Sequence, residues 1–128
     1  MKIKVLVCDR IADEGVRLME EKGYEITNCC DLQKNQLPDI IGDYDVIIVR
    51  SATKVTAGLI ENAKKLRVIG RAGEGLDNID LKKAAEKGIA VVNTPHASAV
   101  SVAELTIAHL LALARGIVEG TLTLREGK

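Results

Sequence analysis

Short runs of Val and Ile alternate along the chain with segments in which apolar residues recur at helical spacing. The apolar runs predict five strands, at Ile3–Cys8, Glu25–Thr27, Val46–Val49, Val68–Ile69 and Ala90–Val92. Between them, residues 11–19, 37–41, 55–63 and 79–85 have the apolar spacing of amphipathic helices. Strands that are apolar on both faces and joined by helices form a parallel sheet covered on both sides. The pattern therefore predicts an α/β domain with an open, doubly wound, five-stranded parallel sheet.

Several residues predict where the helices begin and end. The Lys-Gly pairs at 22–23 and 87–88 stand where a helix gives way to a strand, as glycines that end helices do. Thr56 is the predicted N-cap of the third helix. Ser101 and Glu104 have the S-x-x-E spacing of a capping box, which predicts a helix that begins at about Ser101.

The last quarter of the chain has a different pattern. Residues 105–114 are apolar on nearly all sides, which is typical of a helix buried on more than one face. Residues 121–128 have no clear partner, so we expect them to form a tail. We therefore expect a domain at 1–97, and at 98–128 a helix and tail that would lead into a missing domain of a truncated chain. The helix is too short and too interrupted to span a membrane.

Composition narrows the choice of partners and location. The 128 residues, 47% of them hydrophobic, suffice for one core, and 18 basic residues balance 18 acidic ones. This balance argues against nucleic acid and an anionic membrane surface as partners. The basic start lacks the apolar length of a signal peptide, which favours a cytoplasmic protein. Cys8, Cys29 and Cys30 have no metal-ligand spacing, so inert thiols are the preferred interpretation and no metal is expected.

Two loops that follow predicted strands carry candidate chemistry. After the third strand, Arg50, Ser51 and Lys54 precede a helix start, and Arg can hold a carboxylate or phosphate with two hydrogen bonds. A charged turn without a ligand remains an alternative. After the fourth strand, Gly70, Gly73 and Gly75 allow a close approach of backbone to a ligand, although a ligand-free tight turn would also need glycine. The spacing G-x-x-G-x-G differs from the dinucleotide fingerprint G-x-G-x-x-G, which the sequence lacks.

These loops and the final helix together resemble the D-2-hydroxyacid dehydrogenase family, in its phosphoglycerate branch. The resemblance covers nearly the whole chain, in four successive stretches: Val49 to Val55, Ile69 to Asp80, Val92 to Pro95, and Ser101 to Leu105. It implies a flavodoxin-like substrate-binding domain with a C-terminal crossover helix, and an oxidoreductase of serine biosynthesis that uses NAD to act on 3-phosphoglycerate. NAD belongs to the complete enzyme, and we expect none bound to this chain alone.

The resemblance also implies roles for individual residues. The predicted substrate-binding residues, which would hold a small anionic hydroxyacid, are Arg50, Ser51, Arg71, Gly73, Glu74, Gly75 and Asn78. Within this set, the backbone amides of residues 73–75 would form the cradle for the carboxylate. The residues predicted to support the loops or face the cofactor are Asn93, Ser98, Val102 and Thr106.

The chain departs from the family pattern in three ways. Glu74 stands where Thr or Val is usual, and its carboxylate would repel an anionic ligand unless it points outward. Ser98 stands where many members have Asn. The family's catalytic His, carboxylate and Arg have no counterpart here, and neither His96 nor His109 is predicted to be catalytic. We therefore expect no turnover from this chain alone.

Two other functions remain open at this point. The chain could be a free-standing flavodoxin-like module, such as a phosphoryl-accepting receiver or a flavin carrier. Arg50 and Ser51 occupy the place of a receiver's acceptor, and Tyr24 and Tyr44 are the only large aromatic residues available to stack on a flavin. It could also be a self-association module, a homodimer formed through the apolar helix at residues 101–119.

Overall fold

Five parallel strands form the centre of the first of the two units, Met1–Pro95 and His96–Lys128, into which the chain divides. The computed structural model describes residues 2–31 and 34–128. The strands are β1 (Lys4–Val7), β2 (Glu25–Asn28), β3 (Val46–Val49), β4 (Val68–Arg71) and β5 (Ala90–Asn93). They lie in the order β2-β1-β3-β4-β5, which is the flavodoxin-like doubly wound arrangement. The predicted fold class and all five predicted strands are confirmed.

The helices of the first unit connect these strands. They are α1 (Asp13–Glu21), α2 (Leu37–Ile40), α3 (Ala57–Asn62) and α4 (Leu81–Glu86). Short 3-10 turns at Lys34–Gln36 and Ile41–Asp43 flank α2. The second unit contains α5 (Ala99–Ala114) and α6 (Ile117–Arg125).

The core lies on both faces of the three central strands. Leu6 on β1, Ile47 on β3 and Ile69 on β4 are fully buried, since helices cover both sides of the sheet. The edge strands β2 and β5 are only half-buried. Gly70 permits close packing here, because a Cβ at this position would lie 2.8 Å from Cδ1 of Ile48.

Several predicted helix ends are confirmed. The Thr56 hydroxyl accepts a hydrogen bond from the Leu59 amide at 3.3 Å, so Thr56 caps α3. Gly23 and Gly88 follow α1 and α4 with φ of 83° and 69°. In this left-handed conformation a residue with a Cβ would be strained, which is why glycine ends both helices.

The surface of α3 and α4 carries a cluster of charges. The Glu61 carboxylate pairs with Lys83 and, at 3.0 Å, with Lys87. Hydrogen bonds from these two ammonium groups lower the pKa of Glu61, and the Glu61 carboxylate in turn raises the pKa of Lys83. The contribution of Glu61 to stability is therefore present at neutral pH and is lost as pH falls through its lowered pKa.

Two predictions for the second unit are wrong. Helix α5 begins at Ala99, so Ser101 and Glu104 lie inside the helix instead of capping it. A turn in which the Ala99 amide donates to the His96 carbonyl at 3.2 Å starts the helix earlier. Residues 121–128 do not form an irregular tail, because α6 extends to Arg125.

The predicted continuous helix at 101–119 is also interrupted. Gly116 has a φ of 59°, and the left-handed residue ends α5 before α6 begins. Among the described residues, no single helix is long and apolar enough to cross a membrane; α5 and α6 reach the required length only as a pair bent by 60°. Neither helix has a buried residue, and apolar side chains such as Leu113, which is 83% exposed, lie at the surface.

The assignment of the core predicts that replacing two different leucines by alanine will change the free energy of unfolding by very different amounts. Leu6 is 0% exposed and Leu18, on α1, is 59% exposed. We expect Leu6→Ala to lower the free energy of unfolding by about 2–5 kcal/mol, because it leaves a cavity among packed side chains. The control Leu18→Ala should change it by less than about 0.5 kcal/mol. Urea unfolding measures both, and equal effects would contradict this description of the core.

Candidate functional site

The loops that follow β1, β3 and β4 meet at the carboxyl edge of the sheet. Strand order reverses between β1 and β3, and ligands of doubly wound sheets bind beyond such a point. Val49 at the end of β3 is paired with Arg71 at the end of β4, so the loops that begin at Arg50 and Ala72 lie side by side. This confirms that the arginine loop and the glycine turn share one edge of the sheet.

Asp9 holds the arginine loop in place. Its carboxylate is buried, and Oδ2 accepts hydrogen bonds from the backbone amides of Arg50 at 2.7 Å and Thr53 at 3.1 Å. Its Oδ1 accepts from the Thr53 hydroxyl at 2.8 Å. Sequence reasoning did not select Asp9. The available signal was an acid placed directly after a buried strand.

Asn78 fixes the same loop from the opposite side. Its side-chain amide donates to the carbonyl oxygens of Arg50 at 2.6 Å and Thr53 at 2.7 Å. Val55 and Ile79 form a parallel bridge next to it. Residues 50–53 are therefore held through both their amides and their carbonyls, which leaves the exposed side chains of Arg50 and Ser51 on a rigid backbone.

Arg71 lies over the glycine turn. A Cβ at Gly73 would be 2.5 Å from Nη1 of Arg71, and a Cβ at Gly75 would be 3.6 Å from the same atom. Glycine at these positions thus makes room for the guanidinium. The Nε of Arg71 is buried and has no hydrogen-bond partner among the described residues. This nitrogen is therefore a donor for which the described residues supply no acceptor.

One of the three amides of the predicted backbone cradle is already used within the turn. The Gly73 amide donates to the Arg71 carbonyl at 2.9 Å, so a tight turn already uses it. The Asn93 side-chain amide donates to the Glu74 carbonyl at 2.6 Å, and the Thr94 amide donates to the Gly73 carbonyl at 3.1 Å. Asn93 therefore supports the turn from the end of β5. Glu74 is exposed at the surface.

The predicted cofactor-facing residues of the second unit lie at the start of α5. Ser98 precedes the helix without capping it, and Val102 is 58% exposed. The Thr106 hydroxyl donates to the Val102 carbonyl at 2.7 Å, so its hydrogen is used within the helix. The cofactor-facing roles of Ser98, Val102 and Thr106 stay predictions.

Two cavities open at the carboxyl edge. One, of about 350 Å³, is lined by Asp9, Arg10, Cys30, Asp31, Arg50, Ser51 and Ala52. The other, of about 330 Å³, is lined by Arg10, Ile11, Ala12, Arg50 and Ala72. Arg10, which sequence reasoning did not select, belongs to both. Among residues 2–31 and 34–128, no group of three acidic, His or Cys side chains could hold a metal ion.

Residues 5–124 match the family described as D-isomer specific 2-hydroxyacid dehydrogenase, catalytic domain. This chain belongs to the D-isomer-specific 2-hydroxyacid dehydrogenase family. Its similarity to a D-3-phosphoglycerate dehydrogenase of Methanocaldococcus jannaschii is 50% identity over 126 residues, 98% of this chain and 24% of that protein. Its similarity to a hydroxypyruvate reductase of Thermotoga maritima is 52% identity over 128 residues, 99% of this chain and 42% of that protein.

A solved structure has the same fold as this 2-hydroxyacid dehydrogenase chain. The crystal structure of an NAD+-bound 3-phosphoglycerate dehydrogenase from Entamoeba histolytica superposes with a TM-score of 0.76 at 31% identity. The alignment covers 88% of this chain and 39% of that one. The chain therefore spans between about a quarter and two-fifths of the relatives named here.

The hydrogen bonds of Asp9 predict how two substitutions differ. Asp9→Ala leaves the backbone amides of Arg50 and Thr53 without their carboxylate acceptor and should lower the free energy of unfolding by about 2–3 kcal/mol. Asp9→Asn should cost less, since its carbonyl oxygen can accept from both amides while its nitrogen donates to the Thr53 hydroxyl. Urea unfolding and hydrogen exchange at the Arg50 and Thr53 amides measure these effects. Unchanged exchange in Asp9→Ala would argue against this role.

Proposed function

We propose that this chain is the substrate-binding part of an NAD-dependent oxidoreductase that acts on a D-2-hydroxyacid, with 3-phosphoglycerate as the substrate. The observation that carries the proposal is the pair of neighbouring loops at the carboxyl edge, one presenting Arg50 and the other Arg71. A phosphorylated hydroxyacid has an anionic group at each end, so two separate guanidinium groups suit it.

The loops are suited to binding because their backbone is already ordered. Asp9 and Asn78 fix residues 50–53, and Asn93 fixes the glycine turn. A ligand would therefore order only side chains, which reduces the entropy cost of binding. In the proposed complex, Arg50 binds the phosphate end of the acid, and Arg71 binds the carboxylate end.

Oxidation of the acid would need groups that this chain does not combine. NAD, when bound to the complete enzyme, supplies the hydride acceptor. His96 and His109 are both exposed, and His109 lies on the apolar helix α5, away from the arginine loop in sequence. We therefore propose that residues 1–97 bind the substrate and that 98–128 belong to the connection with a cofactor domain. By its family, the complete enzyme would act in the cytoplasm, in serine biosynthesis.

The choice of substrate rests on the site more than on the relatives. The relatives named above include both a phosphoglycerate dehydrogenase and a hydroxypyruvate reductase, at nearly equal identity. A second anion-binding side chain strengthens the binding of a phosphorylated acid more than the binding of a small unphosphorylated acid. This difference favours 3-phosphoglycerate.

Titration of the isotope-labelled chain with 3-phosphoglycerate tests the proposal. We expect the amide NMR signals of Arg50 and Ser51 to shift, and Arg50→Gln to weaken binding by about tenfold to a hundredfold, because a charge-assisted hydrogen bond is lost. Arg17→Gln, which removes an exposed arginine paired with Glu14, is the matched control. Absence of binding to the wild-type chain would refute the proposal, and NADH production by this chain alone would refute its non-catalytic part.

A second candidate function, self-association, is favoured by the exposed apolar side chains of α5 and α6. Leu110 is 64% exposed and Leu113 83% exposed, and large exposed apolar surfaces commonly mark interfaces. We propose that a second copy of the chain covers them, in a homodimer through residues 101–119.

Sedimentation measurements test the dimer. We expect a concentration-dependent dimer for the wild-type chain and a monomer for Leu113→Glu, because a carboxylate in an apolar interface would lose its hydration. Leu18→Glu, on α1, is the control, since Leu18 is also exposed at 59%. A wild-type chain that stays monomeric at every concentration would exclude this function.

A further inference from the structure

We propose that Arg10 is a second binding residue for the phosphate group and that it selects phosphorylated over unphosphorylated hydroxyacids. The inference rests on the proposed function and names the substrate class of the same site. It concerns the cavity of about 330 Å³ lined by Arg10, Ile11, Ala12, Arg50 and Ala72.

The topology brings Arg10 next to Arg50. Arg10 follows β1 and Arg50 follows β3, and these adjacent strands flank the point where strand order reverses. Nη1 of Arg50 donates a hydrogen bond to the backbone carbonyl of Arg10 at 3.2 Å. The two loops are therefore in direct contact, and this contact does not depend on the Arg10 side chain.

The charges around the cavity favour an anion. None of the five residues that line it is acidic, and two of them carry guanidinium groups. The neighbouring cavity of about 350 Å³ also contains both arginines, but Asp9 and Asp31 line it as well. An anion is expected in the cavity without carboxylates, because Asp31 would repel it in the other one.

The Arg10 guanidinium is available for such a ligand. Arg10 is exposed, and in the part of the chain that the structure describes its side chain makes no ion pair or hydrogen bond. Asp9, the adjacent acid, directs both carboxylate oxygens to the amides and hydroxyl of residues 50–53. Arg17 differs, because its guanidinium already pairs with Glu14 at 3.3 Å.

The phosphate group has the charge to use two arginines. A phosphate monoester carries a charge of about −1.5 to −2 at neutral pH, and one guanidinium neutralises only part of it. Arginine can also present two parallel N–H groups to phosphate oxygens, which lysine cannot do. Ala72, which lines the cavity, directly follows Arg71 in the chain, and we propose that the acid's other end lies toward the Arg71 guanidinium.

Binding of three ligands to four versions of the chain tests the inference. The ligands are 3-phosphoglycerate, D-glycerate and inorganic phosphate, and the versions are wild type, Arg10→Gln, Arg10→Lys and the control Arg17→Gln. We expect Arg10→Gln to weaken binding of 3-phosphoglycerate by about tenfold or more and that of D-glycerate by less than about twofold. Arg10→Lys should show an intermediate loss, and Arg17→Gln none.

Each outcome separates the inference from the proposed function. If wild type binds 3-phosphoglycerate and Arg10→Gln binds it equally well, the inference fails while the proposed function stands. If Arg10→Gln loses D-glycerate as strongly as 3-phosphoglycerate, Arg10 does not select phosphate and the inference fails. If wild type binds neither acid, the proposed function fails with it. Inorganic phosphate that binds wild type and Arg10→Gln equally well would show that Arg10 does not bind the phosphate group, and the inference fails.

Discussion

The buried carboxylate of Asp9 is the interaction on which the candidate site depends. It accepts hydrogen bonds from the Arg50 and Thr53 amides and from the Thr53 hydroxyl, so it joins the end of β1 to the loop after β3. A buried carboxylate is stable only when such donors replace its hydration. Here the donors come from the loop that presents Arg50. Burial of the Asp9 carboxylate thereby fixes the backbone that carries the Arg50 guanidinium.

The glycine turn leaves space for a neighbouring side chain of the same protein. Gly73 and Gly75 leave space that the Arg71 guanidinium occupies, and the Gly73 amide is used within the turn. The Arg71 guanidinium is therefore a candidate anion-binding group at this turn beside the backbone amides. The two loops share one feature, since an asparagine side chain supports the backbone beside each arginine. Asn78 supports the arginine loop and Asn93 supports the glycine turn.

The two units differ in how completely they bury their apolar residues. In the first unit, helices cover both faces of the sheet and the central strands are inaccessible to solvent. In the second, α5 and α6 leave their apolar side chains largely exposed. Exposed apolar surface of this kind commonly marks an interface.

Sequence alone determined the strands, the sheet type and the edge at which the site lies. These follow from local features: Val and Ile runs mark buried strands, glycine after Lys22 and Lys87 ends helices, and all strands of a parallel sheet end at one edge. The residues themselves also indicated Arg50, and the likeness to the family added further candidates, among them Asn78. The tertiary structure alone decided what Asp9 and Arg10 contact, because their partners lie in the distant loop after β3. It also placed the Arg71 guanidinium over Gly73 and Gly75. It also moved the start of α5 to Ala99 and made residues 117–125 helical. A capping pattern such as that of Ser101 and Glu104 takes effect only if the chain enters the helix there, and the turn at His96 sets that entry point two residues earlier.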